Sequence, residues 1–211
     1  GRVNSKYDCV LCENLNQTVP VDRHVFAKRI RVWVNADGFL PPLDFPPLAA
    51  FEASPAVWKF VANAGDGQTV EIELRAEMAE GCNTTLFQFS RPTAARATGK
   101  QLPADADVRL TVRVDIEDRN FHSETKRNGG AEYHFATNTR PIEIRNPKSG
   151  IRNVTGFAFT PAADRQLRVF ADAGEYHPQP EWCENIPHPV EQTRGQEGSG
   201  DAYSPGWFEL P

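Results

Sequence analysis

The chain has a single methionine, none at position 1, and no apolar run of about 18 residues, the length a helix needs to cross a bilayer. No basic segment leads into an apolar stretch with a small-residue cleavage site, so no secretory signal is read. No membrane is expected and the cytoplasm is the expected compartment; the opening Gly1 reads as the start of a piece excised from a longer protein. Basic residues number 23 against 28 acidic ones, a formal net charge of −5, and they form no clustered stripe. Without such a stripe the chain lacks the electrostatic attraction that binds phosphate backbones, so nucleic acid is not an expected partner.

Cysteine is scarce, at four residues. Cys9 and Cys12 form a CxxC pair, but Cys82 and Cys183 stand alone, with no second pair or spaced histidines to complete a zinc site. Redox CxxC motifs open a helix, whereas YDCVLCENL is rich in strand formers. Residues three apart on a strand point to opposite faces, so the two thiols are expected not to share a site. The expectation is reduced cysteines, no metal and no cofactor.

Long helices are also missing, because 17 prolines and 15 glycines interrupt every amphipathic period. The best helical window, Val70 to Glu80, has helix-favouring Ala, Glu and Met, yet Val70, Ile72 and Leu74 alternate with Glu71, Glu73 and Arg75. Alternation reports burial while propensity is a weak prior, so the window reads as a strand.

What is present is a succession of strands. From Val108 to Glu117 the apolar Val108, Leu110, Val112, Val114 and Ile116 alternate with Arg109, Thr111, Arg113, Asp115 and Glu117. Ile30, Val32 and Val34 alternate in the same way with Arg29, Arg31 and Trp33. Shorter candidates lie at Thr84 to Ser90, Glu132 to Thr137, Ile142 to Arg145, Gly156 to Thr160, Leu167 to Asp172 and Gly206 to Leu210. Turn signals separate them at NADG (Asn35 to Gly38), NAGDG (Asn63 to Gly67), NGG (Asn128 to Gly130) and NPKSG (Asn146 to Gly150). Many strands at hairpin spacing predict an all-β sandwich or barrel, with no internal repeat and no domain boundary inside residues 1–211. Two loop tracts are expected: Pro41 to Pro47, extended over the surface with its backbone solvated or capped by neighbours, and a long irregular segment over 178–205.

Catalytic signatures are lacking. There is no GxSxG elbow, and Gly195, Gly198 and Gly200 in RGQEGSG lack the lysine of a phosphate-binding loop, so they read as a turn. Asp115, Glu117, Asp118 and His122 in DIEDRNFH have metal-binding chemistry, but strand alternation followed by a turn predicts solvated acids and a turn histidine. Sugar recognition, which pairs aromatic faces with planar polar groups, finds both in the C-terminal third. Tyr176, His177, Trp182, His188, Tyr203 and Trp207 stand there among Glu181, Glu184, Asn185, Gln192 and Arg194, although the expected role of Trp182, Tyr203 and Trp207 is to seal the end of the sandwich against the loop. Glycosidase chemistry needs two carboxyl groups roughly 5 to 9 Å apart, and spacing alone selects no pair among the acids.

The tail PEWCENIPHPVEQTRGQEGSGDAYSPGWF resembles the closing segment of the N-terminal domain of bacterial glycogen debranching enzymes of the amylo-α-1,6-glucosidase type. The resemblance rests on Pro180, Glu181 and Trp182, then Arg194 and Gly195, then Asp201, Ser204, Pro205, Gly206 and Trp207. DIEDRNFHSET is similar to a second stretch of that domain through Asp118, Arg119 and His122. The first half matches only as a series of strands. The resemblance implies a large two-sheet antiparallel β-sandwich of the galactose mutarotase-like type, packed against an (α/α)6 barrel that carries the catalytic acid and base. It implies no catalytic residue here, and a surface of Arg119, His122, Trp182, Arg194, Asp201, Tyr203 and Trp207 facing the barrel or the α-glucan, glycogen or maltooligosaccharide. A sandwich cut from its partner is expected to expose an apolar patch. Two other classes stay open: a free-standing carbohydrate-binding module acting through the aromatics, and a mutarotase-like epimerase. The second would use His134 or His177 with Glu132 or Glu175, each pair two residues apart on an expected strand.

Overall fold

The computed structural model describes residues 2–16, 18, 23–36, 38–44, 48–92, 99–144 and 154–211. Among them 58% lie in strands, the sheets are antiparallel, and the two helices are short. In chain order the elements are β1 (Leu11–Asn14), β2 (Arg23–Ala36), β3 (Leu48–Ala53), β4 (Ala56–Asn63), β5 (Gln68–Met78), β6 (Thr85–Ser90), β7 (Lys100–Gln101) and β8 (Val108–Asn120). There follow α1 (Gly129–Asn138), β9 (Thr139–Ile144), β10 (Val154–Ala162), β11 (Arg165–Ala171), β12 (Glu175–His177), β13 (Glu181–Pro187), α2 (Pro189–Thr193), β14 (Ser199–Ser204) and β15 (Trp207–Leu210). The turn at Asn146 to Gly150, Arg145, Asp37 of NADG and the 45–47 end of the proline tract lie outside the described residues.

These residues form two compact units, the first mainly Arg31–Thr111 and the second Val3–Ile30 with Val112–Leu210. In the first, β3, β4, β5 and β6 pair in that order, with β7 added parallel to the start of β5. The Val70 window is a strand as its alternation predicts: Val70 pairs Ala62, Ile72 pairs Phe60, and all four are buried. Pro42 bridges Trp33, and Leu43 is buried with its amide donating to Val32 O at 2.7 Å. That part of the proline tract is therefore held against β2, its backbone capped by a neighbouring strand.

In the second unit the main sheet runs β1-β2-β8-β14-β13, β15 pairs both β8 and β12, and a separate sheet runs β11-β10-β9. Aromatic rings connect them: Phe157 of β10 lies 5.7 Å from Tyr176 of β12, and Tyr176 lies 4.9 Å from Phe208 of β15.

Three expectations are corrected here. Residues 132–137 are helical: Asn128 caps α1 by accepting from Ala131 N at 2.9 Å, worth about 1 kcal/mol. The EYHFAT stretch has no strict alternation to compete, and its one buried residue, Phe135, stacks on Phe159 at 5.1 Å and Tyr203 at 5.2 Å. The NGG read as a turn is therefore the start of a helix. Residues 178–205 are not an irregular tract, for they carry β13, α2 and β14, with Trp182 paired to Tyr203 and Ile186 to Gly200. Finally, Asp115 and Glu117 are not solvated: they are 0% and 1% exposed, because this end of β8 is covered on both faces and each acid meets an arginine.

Candidate functional site

Most of the polar residues singled out by motif lie in the second unit around the end of β8. Arg119 is buried, and its guanidinium is fully used by the chain. It donates to Glu117 Oε2 at 2.9 Å, to Phe121 O and Ser123 O at 3.0 Å each, to Asn120 O at 3.4 Å, and to Lys6 O at 2.7 Å. A planar fork with five donors suits such a convergence of carbonyls. Beside it Lys28, 1% exposed, donates to Ser5 O at 3.1 Å and Lys6 O at 2.7 Å. Burial pulls the Lys28 ammonium below its ordinary pKa, against the pull of Glu117, and burial pushes Glu117 up despite Arg119 and Lys28. Glu191 of α2, also buried, accepts from Ser5 Oγ at 2.7 Å and Lys6 N at 3.0 Å. Burial would raise Glu191, and these bonds outweigh it, so its pKa is lowered. The segment Ser5–Lys6 is thus strapped over a cluster of buried charges of both signs.

His188 and Glu124 stand at the edge of this cluster. His188 is 1% exposed, its Nδ1 lies 3.7 Å from Glu124 Oε2, and neither ring nitrogen nor Glu124 Oε2 has a hydrogen-bond partner among the described residues, while Glu124 Oε1 faces Lys6 Nζ at 3.5 Å. Burial, with Lys28 nearby, lowers His188 to about 4, and burial raises Glu124. Gly200 closes the space, since a Cβ there would lie 3.0 Å from both Glu124 Oε2 and His188 Cε1.

A second constellation surrounds Asp118. His24 Nε2 and Arg165 Nε reach its Oδ1, the latter at 3.2 Å, and His134 Nε2 reaches Oδ2 at 2.9 Å. Burial alone would raise the carboxyl; the three hydrogen bonds outweigh it and bring Asp118 down to about 2. His134 lies on α1, its Nδ1 faces Asn138 Nδ2 at 3.3 Å, and Glu132 pairs with Arg127 at 2.7 Å. This His134 and Glu132 are therefore on a helix with separate partners, not side by side on a strand.

The remaining motif residues fall into distinct places. Asp201 is buried and accepts from Arg127 N and Asn185 N, both at 2.8 Å, fixing the approach to α1 and the positive-φ Asn185 where the register of β13 slips. Tyr203 is buried, and its ring, with half-buried Trp182, packs edge-on against its neighbour at 5.5 Å, beside Phe135. Trp207 is half-buried, stacks on His177 at 4.0 Å and donates from Nε1 to Gln179 Oε1 at 3.1 Å. His122 is exposed, with Nδ1 3.2 Å from Tyr7 Oη, and Arg194 is exposed at the end of α2. The C-terminal aromatics thus do not form one platform: Trp182 with Tyr203, Tyr176 with Phe208, and His177 with Trp207 are separate groups, and His188 lies apart from them in the core.

Cys9 and Cys12 do meet, contrary to the strand argument: their thiols are hydrogen-bonded, and burial followed by the Cys12 contact pushes Cys9 up to about 12. Only Cys12 lies in a strand, and the register of β1 slips between Leu11 and Cys12, which breaks the alternation the expectation relied on. No group of three or more His, Cys, Asp and Glu with metal-holding geometry occurs among the described residues, and no described helix is long and apolar enough to cross a membrane.

Of the buried charges, Lys28 had a sequence signal, since it shares parity with Ile30, Val32 and Val34 on the apolar face of β2. Glu191 had none.

A family model described as glycogen debranching enzyme N terminal matches residues 1–211. No curated protein and no solved structure matches the chain.

Proposed function

The chain belongs to the glycogen debranching enzyme N-terminal family, and from that premise we propose that it is a non-catalytic module that orients the catalytic (α/α)6 barrel of the same enzyme and lies along the α-glucan path. One observation carries this reading: two motif residues suited to anion or acid chemistry, Arg119 and Asp201, are spent on the chain's own backbone. Arg119 holds four carbonyls and a carboxylate, and both Asp201 oxygens hold backbone amides. A group locked in this way supports a surface and does not act on substrate.

At separate places of the second unit stand exposed or half-buried side chains suited to contact. Arg194 and His122 offer donors, while Trp182 and Trp207 offer aromatic faces of the kind that stack on sugar rings. Tyr203 packs against Trp182, Arg119 fixes the backbone on either side of His122, and Asp201 fixes the backbone at Arg127 and Asn185. Hydrolysis of α-1,6 branches belongs on this reading to the barrel, and residues 1–211 alone are inactive.

The test is kinetic, in the full-length enzyme. Trp207→Ala and Arg194→Ala are expected to raise KM for glycogen by roughly three- to tenfold with kcat little changed, the signature of lost uniform binding. Unchanged KM for both variants would remove the glucan contact from the account.

A further inference from the structure

The register of the first unit's sheet sorts its side chains into two faces. Directly opposed residues share a face, so the pairs Phe51 with Trp58, Trp58 with Leu74, Leu74 with Phe89 and Ala76 with Phe87 lie on one side. Met78, two residues beyond Ala76, joins them. The opposite side carries Glu52, Lys59, Glu73, Arg75, Glu77 and Gln88, with Val57 and Leu86 among them. Such a division normally buries the whole apolar face.

Here only one end is buried. Phe60, Ala62, Val70 and Ile72 are at most 7% exposed, whereas Phe51 is 52% and Met78 63% exposed at the other end. Between them Trp58, Leu74, Phe87 and Phe89 are half-buried, and the Phe51 and Trp58 rings are 5.0 Å apart. A contiguous apolar surface of this kind marks an interface.

We propose that this uncovered end is the docking surface for an apolar protein face of the same debranching enzyme, supplied by residues outside 1–211. The proposal rests on the reading above that the chain is one module of that enzyme, since the family is named for an N-terminal part of it. Covalent linkage keeps such a partner at high effective concentration. Sugar is the poorer occupant, because Thr85, opposite Met78, is the one polar side chain beside Phe51, Trp58, Leu74, Met78, Phe87 and Phe89, too few to replace the water lost from a sugar's hydroxyls.

Met78 is the single methionine of residues 1–211, so its oxidation reports directly on the face. In the full-length enzyme, peroxide oxidation of Met78, followed by peptide mass spectrometry, is expected to run at least tenfold slower than that of a free methionine peptide. Oxidation as fast as the peptide overturns the proposal. So does protection seen only after glycogen is added, which would make the face a glucan surface. Protection that vanishes on dilution as sedimentation shows a dimer dissociating also overturns it, because the occupant is then a second copy. A full-length Met78→Glu variant adds an independent arm: limited proteolysis should separate the N-terminal module about tenfold faster, with Glu77→Lys on the charged face releasing it at the parent rate. An unchanged Met78→Glu release rate counts against the docking surface. Normal KM values in the Arg194 and Trp207 variants leave all these outcomes untouched, so the two readings fail separately.

Discussion

Lys28 and Arg119 donate to the same oxygen, the carbonyl of Lys6, each at 2.7 Å. Two buried cations on neighbouring strands thereby fix an N-terminal segment that Glu191 grips from the other side. Replacing Lys28 with Met keeps most of the volume but strands Ser5 O and leaves Glu117 with one fewer cation. The expected cost is about 2–4 kcal/mol, the range for breaking a buried charged network. Urea denaturation of the variant measures it, and the Lys6 amide, bonded to Glu191, should lose hydrogen-exchange protection. A cost under about 0.5 kcal/mol would show that the strap does not depend on the cluster.

Asp118 gives the fold an acid-sensitive point. Its folded pKa of about 2 lies below the ordinary 3.8, so the native state binds fewer protons there than the unfolded chain. Stability from this group is complete above about pH 4 and is lost as pH falls toward 2, amounting to roughly 2 kcal/mol. Asp118→Asn should therefore cost more at pH 7 than at pH 2.5, as read by denaturation at both pH values; equal costs would mean that the carboxylate charge is not what His24, His134 and Arg165 hold.

His188 acts in a different window. Its folded value of about 4 lies below the ordinary 6.5, so the buried neutral ring favours folding above pH 6.5 and loses that advantage as pH falls from 6.5 to 4. The full effect is roughly 3 kcal/mol. Glu124, raised by burial, works in the opposite sense and offsets part of it. The difference between parent and His188→Gln isolates the histidine: the stability gap should narrow on acidification through this range, and a gap independent of pH would contradict the assignment.

Asp201→Ala removes two charge-assisted bonds, to Arg127 N and Asn185 N, and leaves both amides without their acceptor. A loss of about 2–3 kcal/mol is expected by urea titration, with Asp201→Asn, which retains one oxygen, losing less. Equal losses would point to packing and not to the carboxylate.

Periodicity revealed the strands, because alternation from Val108 to Ile116 or Val70 to Leu74 is a local record of one buried face. It did not reveal that Asp115 and Glu117 are buried as well, since parity says which residues share a face and not whether the second face is covered. Residues 129–138 were misread because a ten-residue helix with one buried side chain leaves no period to see. The clamps were hidden for another reason: Arg119 meets Lys6 across 113 residues, and His24 meets Asp118 across 94. Motif resemblance marked Arg119, Asp118 and Asp201 as notable, yet their partners are mostly backbone carbonyls, amides and distant side chains, which no local pattern identifies. Cys9 and Cys12 show the limit of the strand rule itself, which fails where the register slips.

We propose that residues 1–211 serve a catalytic part elsewhere in the enzyme and carry no hydrolytic chemistry. The direct measurement is glucose release from an α-1,6-branched glucan by the full-length enzyme and by purified residues 1–211, at equal molar concentration. The account predicts release by the full-length enzyme and none above buffer by residues 1–211. Release by residues 1–211 that is lost on substituting Asp118 or Glu124 would contradict it.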